Sequence, residues 1–274
     1  MQQTGQVSTL QRLVRACHPE PSVAVTGITT ALAVRTGAPA VAVAAAFLSG
    51  QLSVGWSNDW IDAARDRAVA RADKPVVQGL PVAVVRRAAL LALTACVPLS
   101  LLLGPRAGAA HLVAVASAWL YNARWKATAW SVLPYVVSFG LVPSVVTLAA
   151  PGHHAAPWWA SAAGALLGAG AHGANVLPDL EQDLATGVRG LPHRLGARVT
   201  TLLSGLCLVA ATLLLALGPG ASSLGLVAVG LSVAGFTTGV LLGRRPGSRA
   251  AFLSVLLVAG VDVGLLLLRG DVLR

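Results

Sequence analysis

The chain has 274 residues, of which 55% are hydrophobic and only 11% charged, with a formal net charge of +10. Soluble domains carry about 25% charged residues, so this composition excludes an ordinary water-soluble fold and points to a bilayer. The basic excess is not a nucleic-acid signature, because its distribution along the chain follows membrane sides rather than one patch.

The first twenty residues, MQQTGQVSTLQRLVRACHPE, are mostly polar and lack the apolar centre of a signal peptide. Residues 1–20 therefore read as a cytoplasmic N-terminal segment, 21–268 as a single transmembrane domain and 269–274 as a short tail. The expected class is all-α, a polytopic membrane protein of about nine transmembrane helices. The spans fall at roughly 21–36, 38–57, 81–103, 107–122, 128–149, 157–178, 199–217, 221–242 and 250–268. Four long apolar runs, 88–104, 127–150, 200–223 and 250–268, contain a single charge between them, Asp262. With the N-terminus inside, sixteen of the twenty Lys and Arg residues fall on the cytoplasmic side, and only Arg35, Arg106, Arg269 and Arg274 outside. That bias orients an integral membrane protein, in the plasma membrane if the source is bacterial.

Minor features take ordinary explanations. Cys17, Cys96 and Cys207 are far apart and show no metal spacing. Most tryptophans sit near span ends, as interfacial anchors do. Gly164, Gly168, Gly170 and Gly173 repeat at about one helical turn and read as packing positions. His153 and His154 belong to an external loop. His111 and His172 lie within spans, where a local hydrogen bond is the expected role, and His193 is a weaker candidate for substrate contact. Asp262, alone in the last span, is expected to pair across helices.

The acids carry the functional signal. Of ten acidic residues, seven occupy two short stretches, Asn58 to Asp66 with Asp73 following, and Asp179 to Asp183. Both follow an expected span on the cytoplasmic side. At 100° per residue Asp59, Asp62 and Asp66 stand at about 0°, −60° and −20°, on one helix face. Asp179 and Asp183, four apart, also share a face. Convergent carboxylates suit a hard cation such as Mg²⁺, which binds through one or two carboxylates plus substrate phosphates.

These stretches resemble the signatures of the UbiA superfamily of intramembrane prenyltransferases. Residues 58–66, NDWIDAARD, match the family's NDxxDxxxD, and residues 179–183, DLEQD, match its DxxxD. Residues 121–126, YNARWK, and 185–196, ATGVRGLPHRLG, look like the family's intervening and downstream loops. The resemblance implies a bundle around a central cavity. It also implies Mg²⁺-dependent transfer of a prenyl group from an allylic diphosphate to a lipophilic or aromatic acceptor. It makes Asp59, Asp62, Asp66, Asp179 and Asp183 the catalytic and metal-binding residues, with Asn58 in the first cluster. Arg71, Lys74, Lys126 and Arg189 are expected to add positive charge for the diphosphate. The chain departs from many members in having His18-Pro19 for Arg-Pro, and Lys74-Pro75-Val76-Val77-Gln78-Gly79 for Arg-Pro-x-x-Ser-Gly. Two other readings share some features. A membrane terpene cyclase of the same superfamily would ionise the same diphosphate, and a cation-coupled transporter would place its acids near the membrane midplane.

Overall fold

A computed structural model describes residues 8–243 and 249–273. Arg244, Arg245 and Arg274, which entered the charge bias, lie outside the described residues. Within them the chain is all-α. The helices are α1 (Thr9–Ala16), α2 (Pro19–Thr36), α3 (Ala40–Ala68), α4 (Val82–Leu101), α5 (Pro105–Ala123), α6 (Leu133–Ala149), α7 (Trp158–Val176), α8 (Leu180–Ala185), α9 (Leu191–Leu217), α10 (Ser223–Leu242) and α11 (Ala250–Leu268). Each expected span coincides with a long helix. By length and composition five of them, α3, α4, α9, α10 and α11, are long and apolar enough to cross a membrane.

The side chains are sorted as lipid contact requires. Val41, Leu91, Leu102, Leu226 and Leu253 point outward, while small residues such as Ala33, Ala46, Ala89, Ala163 and Ala211 fill the interior. Small interior residues let helices approach closely where no hydrophobic effect drives them together. On α7 the four glycines do this in two directions. A Cβ at Gly164 or Gly168 would collide with the backbone of Phe139 or Tyr135 on α6, and one at Gly170 or Gly173 with Leu208 or Ser204 on α9. Helices α2, α3, α5, α6, α7, α9 and α11 form a closed circuit of neighbours, with α4 outside α3 and α5, and α10 outside α9 and α11.

Three differences from the sequence reading matter. First, α3 does not stop near residue 57 but runs on to Ala68. Hydropathy marks the end of an apolar run, whereas the helix continues because Trp60 to Ala68 still forms backbone hydrogen bonds and Asp62 is paired with Arg65 and Lys126. Second, the polar N-terminal segment is part of the fold. Ser8 and Gln11 form a reciprocal capping box that starts α1. Ala16 then packs in a core with Ala63, Val76, Leu80 and Val85, and Trp56 donates to the Leu13 carbonyl at 2.9 Å. Gly55 leaves room for the Cys17 carbonyl, seating the α1–α2 junction on α3. Third, the tail is tied in: Leu273 is buried, and Arg35 pairs with Asp271 at 3.0 Å.

Candidate functional site

Because α3 is continuous through the first motif, the register read from spacing is realised. Asp59, Asp62 and Asp66 are all buried. Each meets a different environment. Asp59 Oδ1 accepts from Lys74 Nζ at 2.9 Å and faces His18 Nε2 at 3.1 Å. Asp62 is gripped by Arg65 at 2.8 Å, one turn along the same helix, and by Lys126 from the turn after α5. Among the described residues Asp66 has no hydrogen-bond partner for either oxygen, and Asp59 Oδ2 has none.

Asn58 is held by the neighbouring helix. Its Nδ2 donates to Asn122 Oδ1 at 3.3 Å, while Asn122 Nδ2 donates to Ser57 Oγ at 2.8 Å and the Val54 carbonyl at 2.9 Å. This clasp fixes α5 against α3 at the level of the motif.

The second stretch is not one regular helix. Pro178 has no N–H to continue the α7 hydrogen-bond ladder, and α7 gives way to a 3₁₀ turn (Leu177–Asp179) before the short α8. Asp179 lies beside Arg71 at 3.3 Å, and Asp183 beside the buried His193 at 3.3 Å. His193 therefore belongs to α9 rather than to a loop.

The two stretches open on one cavity of about 470 Å³. Asn58, Asp62, Arg65, Arg71, Lys74, Lys126, Asp179 and Asp183 line its polar end, and Val25, Phe47, Val115, Phe139 and Val142 its apolar part. Five long helices enclose it, α2, α3, α5, α6 and α7, so α9 to α11 buttress the chamber rather than wall it. Asp59 and Asp66 stand behind the lining. Arg189 does not join the site: it is exposed on the turn before α9, and its carbonyl accepts from Arg194. The acids are not gathered as a bare cage. Among the described residues no three His, Cys, Asp or Glu side chains stand close enough to hold a metal by themselves. Cations stand between them instead, since unscreened buried carboxylates would repel one another.

The electrostatics of those cations differ. Burial pushes the Lys126 ammonium down from the usual lysine range, with Asp62 opposing. Burial also works against Arg71, but Asp73 and Asp179 outweigh it and hold the guanidinium above its ordinary value. Asp62 is thus the partner that opposes the loss of charge on Lys126.

Several lining residues were not picked out from sequence. Tyr121 and Asn122 belong to the same YNARWK stretch as Lys126. Their polar side chains at the end of an apolar span were the available signal. Tyr135 forms an aromatic cluster with Tyr121 and the buried His172, at ring separations of 5.1 to 5.9 Å. His18, at the place of the family's Arg-Pro arginine, also lines the cavity, as do Gln51 and His111, which no local pattern marks.

The sequence model of the UbiA prenyltransferase family matches residues 22–266. None of the curated proteins compared with the chain matches it. Among solved structures, a UbiA homolog from Archaeoglobus fulgidus bound to GPP and Mg²⁺ superposes with a TM-score of 0.70 at 17% identity, over 95% of this chain and 99% of that one. The apo UbiA homolog from Aeropyrum pernix K1 gives 0.69 at 20% identity, over 91% and 98%. A structure concerning digeranylgeranylglyceryl phosphate synthase in membranes gives 0.68 at 14% identity, over 96% and 99%. At these identities the likeness is one of fold.

Proposed function

The chain belongs to the UbiA prenyltransferase family, and from that premise we propose that it moves a prenyl group from an allylic diphosphate to a lipophilic or aromatic acceptor, with Mg²⁺. The observation that carries the reading is a single cavity with acids and cations of both motifs at one end and hydrocarbon walls at the other. A prenyl diphosphate has the same division. The charge bias favours placing the polar end on the cytoplasmic side, so that a water-soluble diphosphate leaves directly into that compartment. Acids confined to one end of the cavity disfavour a transporter.

The donor set fits a hard cation. The partnerless oxygens of Asp59 and Asp66 are carboxylate oxygens, and a Mg²⁺ site needs few protein ligands when phosphates supply the rest. Asp59, Asp62 and Asp66 with Asn58 would hold it on one side, and Asp179 and Asp183 on the other. Bound Mg²⁺ would neutralise charge on the diphosphate oxygens as a Lewis acid. The chain's own contribution is a set of stored cations. Lys74, Lys126, Arg65 and Arg71 are paired with the motif carboxylates. Those cations would be placed to donate to the phosphate oxygens and to stabilise the leaving group when the carboxylates are shared with Mg²⁺. Val115, Phe139 and Val142 exclude water from the allylic carbon, which would otherwise be captured as an alcohol.

Membranes containing the full chain, incubated with GPP or DMAPP and Mg²⁺ and assayed for diphosphate release with and without an acceptor panel, test this. The expected result is Mg²⁺- and acceptor-dependent release with a prenylated product by mass spectrometry. Hydrocarbon formed without acceptor would establish cyclisation instead, and no diphosphate consumption with any donor would reject both.

A further inference from the structure

The protein uses only half of the apolar side of α1. At 100° per residue Ala16, Leu13, Leu10 and Val14 fall at about −120°, −60°, 0° and 40°, one continuous arc, with Gln11, Arg15 and Arg12 on the other side. Ala16 is buried, and Leu13 packs against the core that holds Ala63 and Val85. Leu10 and Val14 are left 70% and 49% exposed. The helix does not lead straight into the first span, because His18 takes left-handed backbone (φ 53) and breaks the chain between α1 and α2. Its neighbour is the start of α4, whose Val85 shares the buried core with Ala16 and whose Val82 packs against it. Arg86 and Arg87 are exposed there, one turn before the exposed Leu90 and Leu91. Residues four apart share a face, so the two arginines head the stripe that α4 turns to lipid. Neither α1 nor α4 contains an acid, and the nearest in sequence is the exposed Glu20 in the first turn of α2. Among the described residues Arg12, Arg15, Arg86 and Arg87 have no carboxylate within ion-pair distance, and Arg12 Nε is buried without a hydrogen-bond partner.

We propose that α1 and the start of α4 form a docking surface for anionic phospholipid, with Leu10 and Val14 among the acyl chains and the four arginines on the headgroup phosphates. A rim facing water accounts for the arginines but not for the apolar arc beside them. Neutral lipid accounts for the arc but leaves four cations without counter-charge at the edge of a low-dielectric slab. An anionic headgroup answers both, since the guanidinium fork matches phosphate oxygens and a short amphipathic helix seats at the level of the headgroups. The surface is separate from the catalytic chamber, because none of these six residues lines the cavity.

The test is amide hydrogen exchange of α1 in the full chain, placed one copy per nanodisc in phosphatidylglycerol or in phosphatidylcholine at equal salt. Exchange of α1 is expected to be about tenfold slower in phosphatidylglycerol, since each arginine near an anionic surface is worth roughly fivefold. The double variant Arg86→Gln with Arg87→Gln leaves α1 itself unaltered and is expected to reduce the difference to about twofold or less. Leu10→Ser with Val14→Ser is expected to speed exchange of α1 in both lipids. Unchanged exchange in α9 and α11 shows that each variant is folded, and if the α4 variant does not reconstitute, Arg15→Gln decides in its place. Equal exchange in the two lipids, or an arginine variant that keeps the full difference, overturns the proposal. So does the same slowing produced by glycerol phosphate added to phosphatidylcholine discs, which would make the site one for free phosphate. Slowing found only in discs that hold two copies would assign the surface to a contact between chains and overturn it as well.

Discussion

Asp62 on α3 and Asp262 on α11 are both buried carboxylates on long apolar helices, and the two regions treat them in opposite ways. Asp62 stands in a set of acids, is gripped by Lys126 and Arg65, and faces a cavity. Asp262 stands alone. It accepts a hydrogen bond from Thr212, whose Oγ1 lies 3.1 Å from the Ser232 hydroxyl and can accept from it, and among the described residues its other oxygen has no partner. The first arrangement stores charge that a ligand can rearrange. The second ties α9, α10 and α11 together through hydroxyls, with no cation and no share in the cavity. A buried acid is thus read by its partners and its access to space rather than by its burial.

The comparison breaks if the two regions respond alike. The largest effect is expected from Asp59→Ala, Asp62→Ala and Asp179→Ala, each lowering Mg²⁺-dependent diphosphate release at least about 100-fold while the protein stays folded by melting. Unchanged release would remove the aspartates from the chemistry. Lys126→Ala should come next, at roughly tenfold to 100-fold in turnover, with Lys126→Arg recovering part of it because the charge returns in a different shape. Recovery to wild-type rate by Lys126→Met, which has no charge, would count against the stored-cation mechanism. Asp262→Ala should act on stability instead, lowering it by about 1–3 kcal/mol through the lost Thr212 bond and the void, with turnover per folded molecule within about twofold. Loss of turnover at an unchanged melting temperature would place Asp262 in the reaction. Arg189→Ala should be the smallest, within about twofold in turnover, since the side chain is exposed and outside the lining. A tenfold loss would return it to the diphosphate site.

Much of the site was legible in residues close together in the chain. Composition identified the bilayer, and the 3.6-residue period put Asp59, Asp62 and Asp66 on one face, which the unbroken α3 bears out. The same reasoning was less secure for Asp179 and Asp183, because Pro178 interrupts the helix and the second stretch reaches the cavity through a turn. Arg189 is near the second motif in sequence, but nearness in sequence does not aim a loop side chain. Arg65 grips Asp62 only because the helix continues past the apolar run.

What the sequence alone determined was the kind of solvent, the helices and the register of the acids along them. Each of these is set by consecutive residues within one element. Which cation meets which carboxylate was decided only in the tertiary structure. Lys126 reaches Asp62 across 64 positions of chain and Arg71 reaches Asp179 across 108, over helices whose approach is set by glycine contacts such as Gly168 on Tyr135. The docking of α1, and the limiting of the cavity to five helices, have the same origin. Packing of distant surfaces has no period in the sequence, and it is there that a row of aspartates becomes one end of a chamber.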